Sequence, residues 1–197
     1  MINIAVLVLA AGKSSRMNGI KQLLKINNKT LLDHTLETTK KVFQNNIFCI
    51  LGANADKIQK AISTKYVQFI YNKNFETGLS SSIVAGIHHF KKEKLNFNGL
   101  LILLVDQPEI DDDYLNLLIT TFQSNSDKII ASNYNEKAGV PAIFPKKYFE
   151  KLVLLKGDKG AKKFLQNYTS EVIKINREQS FKDIDTPEDY QSYLNSI

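Results

Sequence analysis

The chain predicts an α/β fold, a three-layer α/β/α sandwich around a mostly parallel sheet, and three observations carry that reading. Apolar, strand-like runs recur along the sequence; segments of helical period separate them, as in successive βαβ units; and 197 residues suit one domain with a substantial core. The runs lie at residues 4–9, 47–51, 67–70, 100–105 and 128–132. Between them, Leu32, Leu36, Thr39 and Phe43 share one helical face, Ile83, Ile87 and Phe90 a second, and Tyr114, Leu117, Leu118 and Phe122 a third. Beyond Ser132 the rhythm changes. "GVPAIFPKKYF" carries two prolines around a short apolar run, "KGDKGAKKFL" reads as a loop feeding a helix, and "EVIKI" reads as a late strand. No linker-like composition sets this region apart, so it reads as an elaboration of the same domain.

Composition excludes several classes. Hydrophobic residues at 43% and charged ones at 23% fit a folded globule rather than a disordered or fibrous chain. The first apolar run has no basic segment before it, and no stretch reaches the roughly 18 apolar residues of a membrane span. A cytoplasmic protein without a membrane partner is expected. The single cysteine, Cys49, sits in the apolar run "IFCIL", which rules out an internal disulfide framework and points to a buried thiol. A formal charge of +6 fits anionic partners and equally a solvated, lysine-rich surface, since Lys40-Lys41, Lys91-Lys92 and Lys162-Lys163 are scattered. No basic block interleaved with aromatics suggests nucleic acid.

In an open parallel sheet the loops after the strands' carboxyl ends carry ligands. The first of these, in "VLAAGKSSRMNGIKQ", contains Gly12-Lys13-Ser14, which resembles the end of a P-loop. The glycine such a loop needs five positions earlier is Leu7, and a dinucleotide fingerprint fails because Ser14 and Met17 stand where glycines belong. The stretch still asks for a phosphate: Ala10-Ala11-Gly12 allows close backbone approach, Ser14 and Ser15 supply hydroxyls, and Arg16 and Lys21 supply positive charge. A plain turn with solvated bases is the alternative.

Three further stretches stand out. In "LLILLVDQPEI", Asp106 follows an apolar run, where an unpaired carboxylate is costly and a divalent cation is a natural partner; the competing role is a helix cap, with Pro108, Asp111, Asp112 and Asp113 nearby. In "ETGLSSSIVAGIHHF", Gly78 and the hydroxyls of Ser80, Ser81 and Ser82 open a helix and suit either a nucleotide or simple capping. His88 and His89 fall late in that helix and read as surface or interface residues. In "FKDIDTPEDY", Thr186 as N-cap and Pro187 in the first turn are explained by helix physics, while Asp183 and Asp185 lie outside the helix, where a second carboxylate would reach the cation of Asp106.

Taken in order, "LVLAAGKSSRMNGIKQLL", "GLSSSIVAG", "LLVDQPEI", "GVPAIFPKKYFEKLVLLKGDKGAKKFL" and "DIDTPEDY" resemble the molybdenum cofactor cytidylyltransferase group of nucleotidyltransferases. The first motif is shared by many sugar and cofactor nucleotidyltransferases; Asp-Gln-Pro, "GVPAIF" and "GDKGA" are the narrower signal. The resemblance implies a Rossmann-like sandwich with a nucleoside triphosphate in the first loop, contacting Leu9, Ala10, Ala11, Gly12, Lys13, Ser14, Ser15, Arg16 and Lys21, with Gly78, Ser80, Ser81 and Ser82 beyond. It implies Mg2+ at Asp106 with help from Asp183 or Asp185, and an acceptor facing Gln107, Gly139, Pro141, Gly157, Asp158 and Gly160. Residues 1–110 would then serve the nucleotide and 111–197 the acceptor. Ala11, where sister guanylyltransferases usually carry glycine, leans toward a pyrimidine nucleotide. The expected activity is CMP transfer from CTP to molybdopterin-bound molybdenum with release of pyrophosphate, with Arg16, Lys21 and Asp106 as catalytic residues and a molybdoenzyme or its chaperone as a further partner. A sugar or alcohol phosphate as acceptor, or a nucleotide- or cofactor-binding module without turnover, are the other readings.

Overall fold

The computed structural model describes residues 3–64, 66–176 and 181–197. The chain runs through β1 (Ile4–Ala10), a short hairpin of β2 (Lys25–Ile26) and β3 (Lys29–Thr30), α1 (Leu31–Val42), β4 (Ile47–Leu51), α2 (Ala55–Ala61) and β5 (Gln68–Tyr71). It continues through α3 (Ser80–Lys92), β6 (Gly99–Leu104), α4 (Asp112–Ser124), β7 (Ile129–Tyr134) and β8 (Lys137–Pro145). Two short helices, α5 (Phe149–Leu152) and α6 (Lys162–Asn167), precede β9 (Val172–Ile175) and α7 (Pro187–Leu194).

Seven strands form one sheet in the order β5-β4-β1-β6-β8-β7-β9. The central strand β1 is buried along its whole length. Its side chains alternate between the two faces, and both faces are covered, which is why its sequence is continuously apolar. Val6, Val8 and Ala10 join the core with Leu32 and Leu36 of α1 and Leu115 and Leu118 of α4. Ala5, Leu7 and Leu9 join the opposite core with Ile83 and Ile87 of α3 and Phe164 and Leu165 of α6. Helices therefore cover both faces, as expected of a three-layer sandwich.

One strand among those described, β8, runs against the others: it is antiparallel to β6 and β7, while β1, β4, β5 and β6 are mutually parallel and β9 is parallel to β7. An antiparallel strand begins where its neighbours end. The first residues of β8, Lys137 to Val140, thus lie at the end of the sheet where β1 and β6 deliver their following loops.

The five predicted strands form, with ends shifted by one or two residues in all but β4. The predicted helical face through Tyr114, Leu117, Leu118 and Phe122 is corrected at one position. At 3.6 residues per turn, the stripe through Tyr114, Leu118 and Phe122 passes nearer Leu115, which is fully buried, than Leu117, which is 47% exposed. The histidine pair also divides: His88 is exposed, but His89 is half-buried with its ring 5.9 Å from that of Phe48. The helix α2 is not predicted by hydrophobic periodicity because it buries only Ile58 and so has no apolar stripe to read. Cys49 is a buried free thiol, and burial pushes its ionisation well above the usual range. Among the described residues no helix is long and apolar enough to cross a membrane.

The corrected face of α4 has a direct test. Leu118→Ala is expected to lower stability by about 2–5 kcal/mol, and Leu117→Ala to leave it within about 0.5 kcal/mol, as read from urea unfolding midpoints.

Candidate active site

The loop after β1 is held from beneath by Gln22, a residue with no motif to single it out. Gln22 is 5% exposed, and its Nε2 donates to the carbonyls of Ala10 at 2.8 Å and Gly12 at 3.2 Å. Its Oε1 accepts from the Ser14 hydroxyl at 3.2 Å, and the Ser14 Oγ in turn accepts from the Lys21 backbone N–H at 3.0 Å. Ser14 sits in the left-handed region at φ 56°, a conformation unfavourable for a residue with a Cβ, and these bonds hold it there. The loop is thereby shaped before any ligand meets it.

Opposite the loop stands Asp106, two residues past the end of β6. Its backbone carbonyl accepts from Ile184 N–H at 2.8 Å, which pins the C-terminal segment to the sheet's end. Ile184 turns into the core, 1% exposed, so its neighbours on both sides face outward. A capping box then fixes the entry to α7: the Thr186 side chain accepts from Asp189 N–H, and Asp189 Oδ2 accepts from the N–H groups of Asp185 and Thr186.

These constraints gather four charges in one place. Lys21 Nζ donates to Asp106 Oδ2 at 2.9 Å and to Asp185 Oδ1 at 2.8 Å, and Arg16 donates to Asp185 Oδ2 at 3.0 Å. Burial alone would lower the Lys21 ammonium, but the Asp106 carboxylate, with hydrogen bonds to both acids, outweighs it and holds Lys21 above its ordinary value. Burial would likewise raise Asp185, yet the Lys21 hydrogen bond and charge, assisted by Arg16, keep it below the usual carboxylate range. The four groups line a cleft of about 250 Å³ with Leu9, Ala10, Ala11, Gly12, Ser14 and Ser15. Asp106 Oδ1 is buried and makes no hydrogen bond among the described residues. No cluster of three or more His, Cys, Asp and Glu among those residues is placed to hold a metal ion. A pair of hard carboxylates with one oxygen unengaged nevertheless fits a divalent cation that completes its shell with phosphate and water oxygens.

A second cavity of about 500 Å³ adjoins the first across a shared wall of Leu9, Leu79 and Leu104. Gln107 Nε2 donates to the Tyr134 hydroxyl at 3.0 Å and to Asp183 Oδ1 at 2.9 Å, and Tyr134 donates to the Val140 carbonyl at 2.6 Å. Three lysines, Lys137, Lys159 and Lys162, stand around this largely apolar space with Gly139 and Asp158. Burial raises the Asp183 carboxyl despite the Gln107 hydrogen bond, with the Asp106 charge adding to it. A larger open depression of about 730 Å³ near Asn98, Asp127 and Lys146 is lined mainly by exposed surface side chains.

Other predicted site residues are placed elsewhere. Lys13 turns from the cleft to pair with Glu76 at 2.6 Å. Ser81 and Ser82 both accept from Asn72 Nδ2, and Ser80 is buried. Gly78, at φ 106°, meets Gly157 so closely that a Cβ would lie 2.4 Å from its carbonyl carbon, and Ser80 N–H donates to the Gly157 carbonyl at 3.1 Å. This pair joins the loop before α3 to the loop before α6 rather than lining either cavity. Pro141 is buried within β8, and Gly160 packs under Leu79. Of the two candidates for the second carboxylate, Asp185 joins Asp106 and Asp183 belongs to the adjoining cavity.

A family model described as the MobA-like NTP transferase domain matches residues 6–172. The bifunctional protein GlmU of Francisella tularensis subsp. novicida is 26% identical over 149 residues, which are 75% of this chain and 31% of that protein. The chain thus spans about a third of the length of the curated relatives it matches. The structure of Rv0371c from Mycobacterium tuberculosis H37Rv in complex with manganese is 25% identical, covers 99% of this chain and 100% of its own, and superimposes with a TM-score of 0.83. A cytidylyltransferase from Leptospira borgpetersenii, 20% identical over 98% of this chain and 86% of its own, shares the fold at a TM-score of 0.74.

Asp183 is exposed at its surface yet partly desolvated beside Asp106 and Asp185, so its raised carboxyl implies a charge that opposes folding only weakly. A folded-state value above the unfolded one makes stability fall as pH rises through the interval between them. Asp183→Asn, which keeps an acceptor for Gln107, is expected to raise the melting temperature at neutral pH. The gain should shrink as pH falls toward the ordinary carboxylate range near pH 4, measured by thermal melts across pH.

Proposed function

The chain belongs to the MobA-like NTP transferase domain family, and on that premise we propose that it transfers CMP from CTP to a phosphorylated acceptor, the molybdopterin-bound molybdenum cofactor, with release of pyrophosphate. The carrying observation is the meeting of Arg16, Lys21, Asp106 and Asp185 over the Gln22-supported loop. Gly12 adds support. It has no positive φ, and no protein atom lies within 4 Å of where its Cβ would stand, so neither backbone strain nor packing requires glycine there. The open backbone there would admit close approach of a ligand.

In this reading a phosphate oxygen of the acceptor attacks the α-phosphorus, the new P–O bond forms as the bond to the β-phosphate oxygen breaks, and pyrophosphate leaves with the electron pair. The nucleophile is already ionised and needs no general base. The chain's task is to bring two anions together in line and to offset their charge. Arg16 grips the leaving phosphates through its planar fork, and Lys21 screens attacker and α-phosphoryl oxygens. Asp106 and Asp185 would hold Mg2+, which when bound supplies Lewis-acid neutralisation of the phosphates; that Rv0371c was solved in complex with manganese supports a divalent cation. The division into residues 1–110 for the nucleotide and 111–197 for the acceptor is crossed by the two cavities, since Asp185 lines the first and Leu9, Leu79 and Gln107 the second; the acceptor's anionic groups would meet Lys137, Lys159 and Lys162. A molybdoenzyme or its chaperone would then receive the product.

The CTP donor draws on the resemblance of the motifs and on the likeness to the Leptospira cytidylyltransferase. A sugar or alcohol phosphate as acceptor is the second reading, favoured by the first motif, which many sugar and cofactor nucleotidyltransferases share. Pyrophosphate release measured with each triphosphate, with and without molybdopterin cofactor, separates the two. Release with CTP but without dependence on the cofactor would overturn the molybdenum assignment.

Asp106→Asn is expected to lower turnover about 100-fold or more in a folded protein, read as pyrophosphate release; an unchanged rate would point to a binding module. Arg16→Lys should mainly raise KM for CTP, and Lys21→Ala should mainly lower kcat, because its contact strengthens as charge shifts in the transition state. Steady-state kinetics on both variants decide, and a KM effect alone for Lys21→Ala refutes its role.

A further inference from the structure

We propose that Lys21 competes with the divalent cation for the Asp106–Asp185 pair, so that cation capture is coupled to arrival of the triphosphate. The inference rests on reading those two acids as the cation's ligands. The Lys21 ammonium donates to both carboxylates, at 2.9 and 2.8 Å, and its side chain is only 16% exposed, where charge interactions are weakly screened. An ammonium and a dication cannot share that position, because each needs the same oxygens and the two repel at contact distance.

Charge balance argues the same way. Asp106 and Asp185 carry two negative charges, and Lys21 and Arg16 supply two positive ones at hydrogen-bond distance. A dication entering this neutral cluster alone must break the lysine's bonds and leave two bases facing two added charges. A triphosphate arriving with the dication brings its own negative charge and gives both bases new partners. Lys21 is placed for that transfer: its backbone is tethered by the Ser14 hydroxyl, so the side chain swings from a fixed base, and it lines the same cleft as Gly12, Ser15 and Arg16. Asp106 Oδ1 is buried outside the lysine's grip, and the oxygens that face the cleft, Asp106 Oδ2 and Asp185 Oδ1, are freed only when the ammonium leaves.

The test is Mn2+ titrated into nucleotide-free protein, with free Mn2+ read by electron paramagnetic resonance. Lys21→Met, which keeps the length of the side chain and removes its charge, is expected to bind Mn2+ about tenfold or more tightly than the parent chain. Lys21→Arg should stay near the parent and Asp106→Asn should lose the site. Circular dichroism melts confirm that each variant is folded, and Lys21→Gln replaces Lys21→Met should the latter unfold. If the uncharged variant binds no more tightly while Asp106→Asn abolishes binding, the competition is refuted and the cation site stands. If Mn2+ binds to none of them, the uncharged variant included, both fail together.

Discussion

A carboxylate at the end of a buried strand has to be neutralised, and the rest of this site depends on how Asp106 meets that demand. Its partner is Lys21, 85 residues earlier, and Lys21 is shared with Asp185, 164 residues away from it. Three distant segments are thus tied to one ammonium: the loop after β1, the end of β6 and the strand-like stretch before α7. Each has its own local anchor. Gln22 props the first, the apolar run of β6 buries the second, and the Ile184–Asp106 backbone bond with the Thr186–Asp189 capping box secures the third. Anchored backbones fix where these charges start, so that re-pairing on ligand arrival falls to the side chains, Lys21 first among them.

The reversed strand β8 supplies the second half of the arrangement. Had it run parallel to β6, Lys137, Ala138 and Gly139 would open at the far end of the sheet. Running antiparallel, it sets them beside Gln107 and Tyr134 and so builds a second cavity against the first. Leu9, Leu79 and Leu104 line both spaces. The contact of Gly78 with Gly157 joins the loops on either side, and only glycine at residue 78 permits it, since any Cβ there would overlap the facing backbone. The two adjacent cavities differ in kind: the first gathers two acids and two bases, and the second is more apolar with a basic rim.

The layered fold, the strand runs and the strand-end position of Asp106 were legible in the residues themselves, because doubly covered strands are written as continuous apolar runs and ligands gather where such strands end. The DTPED segment was equally legible as a helix start, a local matter of caps and proline. Other features were not. Which of Leu115 and Leu117 is buried is an exception, since the 3.6-residue period already sets Leu115 nearer the stripe that packs on β7 and β8. Gln22 reads as any polar residue until the chain has turned back on itself over twelve residues to reach the Ala10 carbonyl. The serines of α3 suit a nucleotide or a cap by sequence, and only the tertiary structure shows that Ser81 and Ser82 both accept from Asn72.

Residue order alone dictates that an acid stands at the end of a buried strand, that a small-residue loop with two bases faces the same end, and that two further acids precede the last helix. How these groups pair is settled only in three dimensions. Asp183 and Asp185 are chemically identical and two residues apart, and nothing local distinguishes them. Ile184 buried in the core turns both outward, Gln107 claims the first, and Lys21 and Arg16 claim the second. That choice is made by long-range packing, because the strength of an ion pair depends on separation and burial, and both are set by where the sheet's end brings segments together.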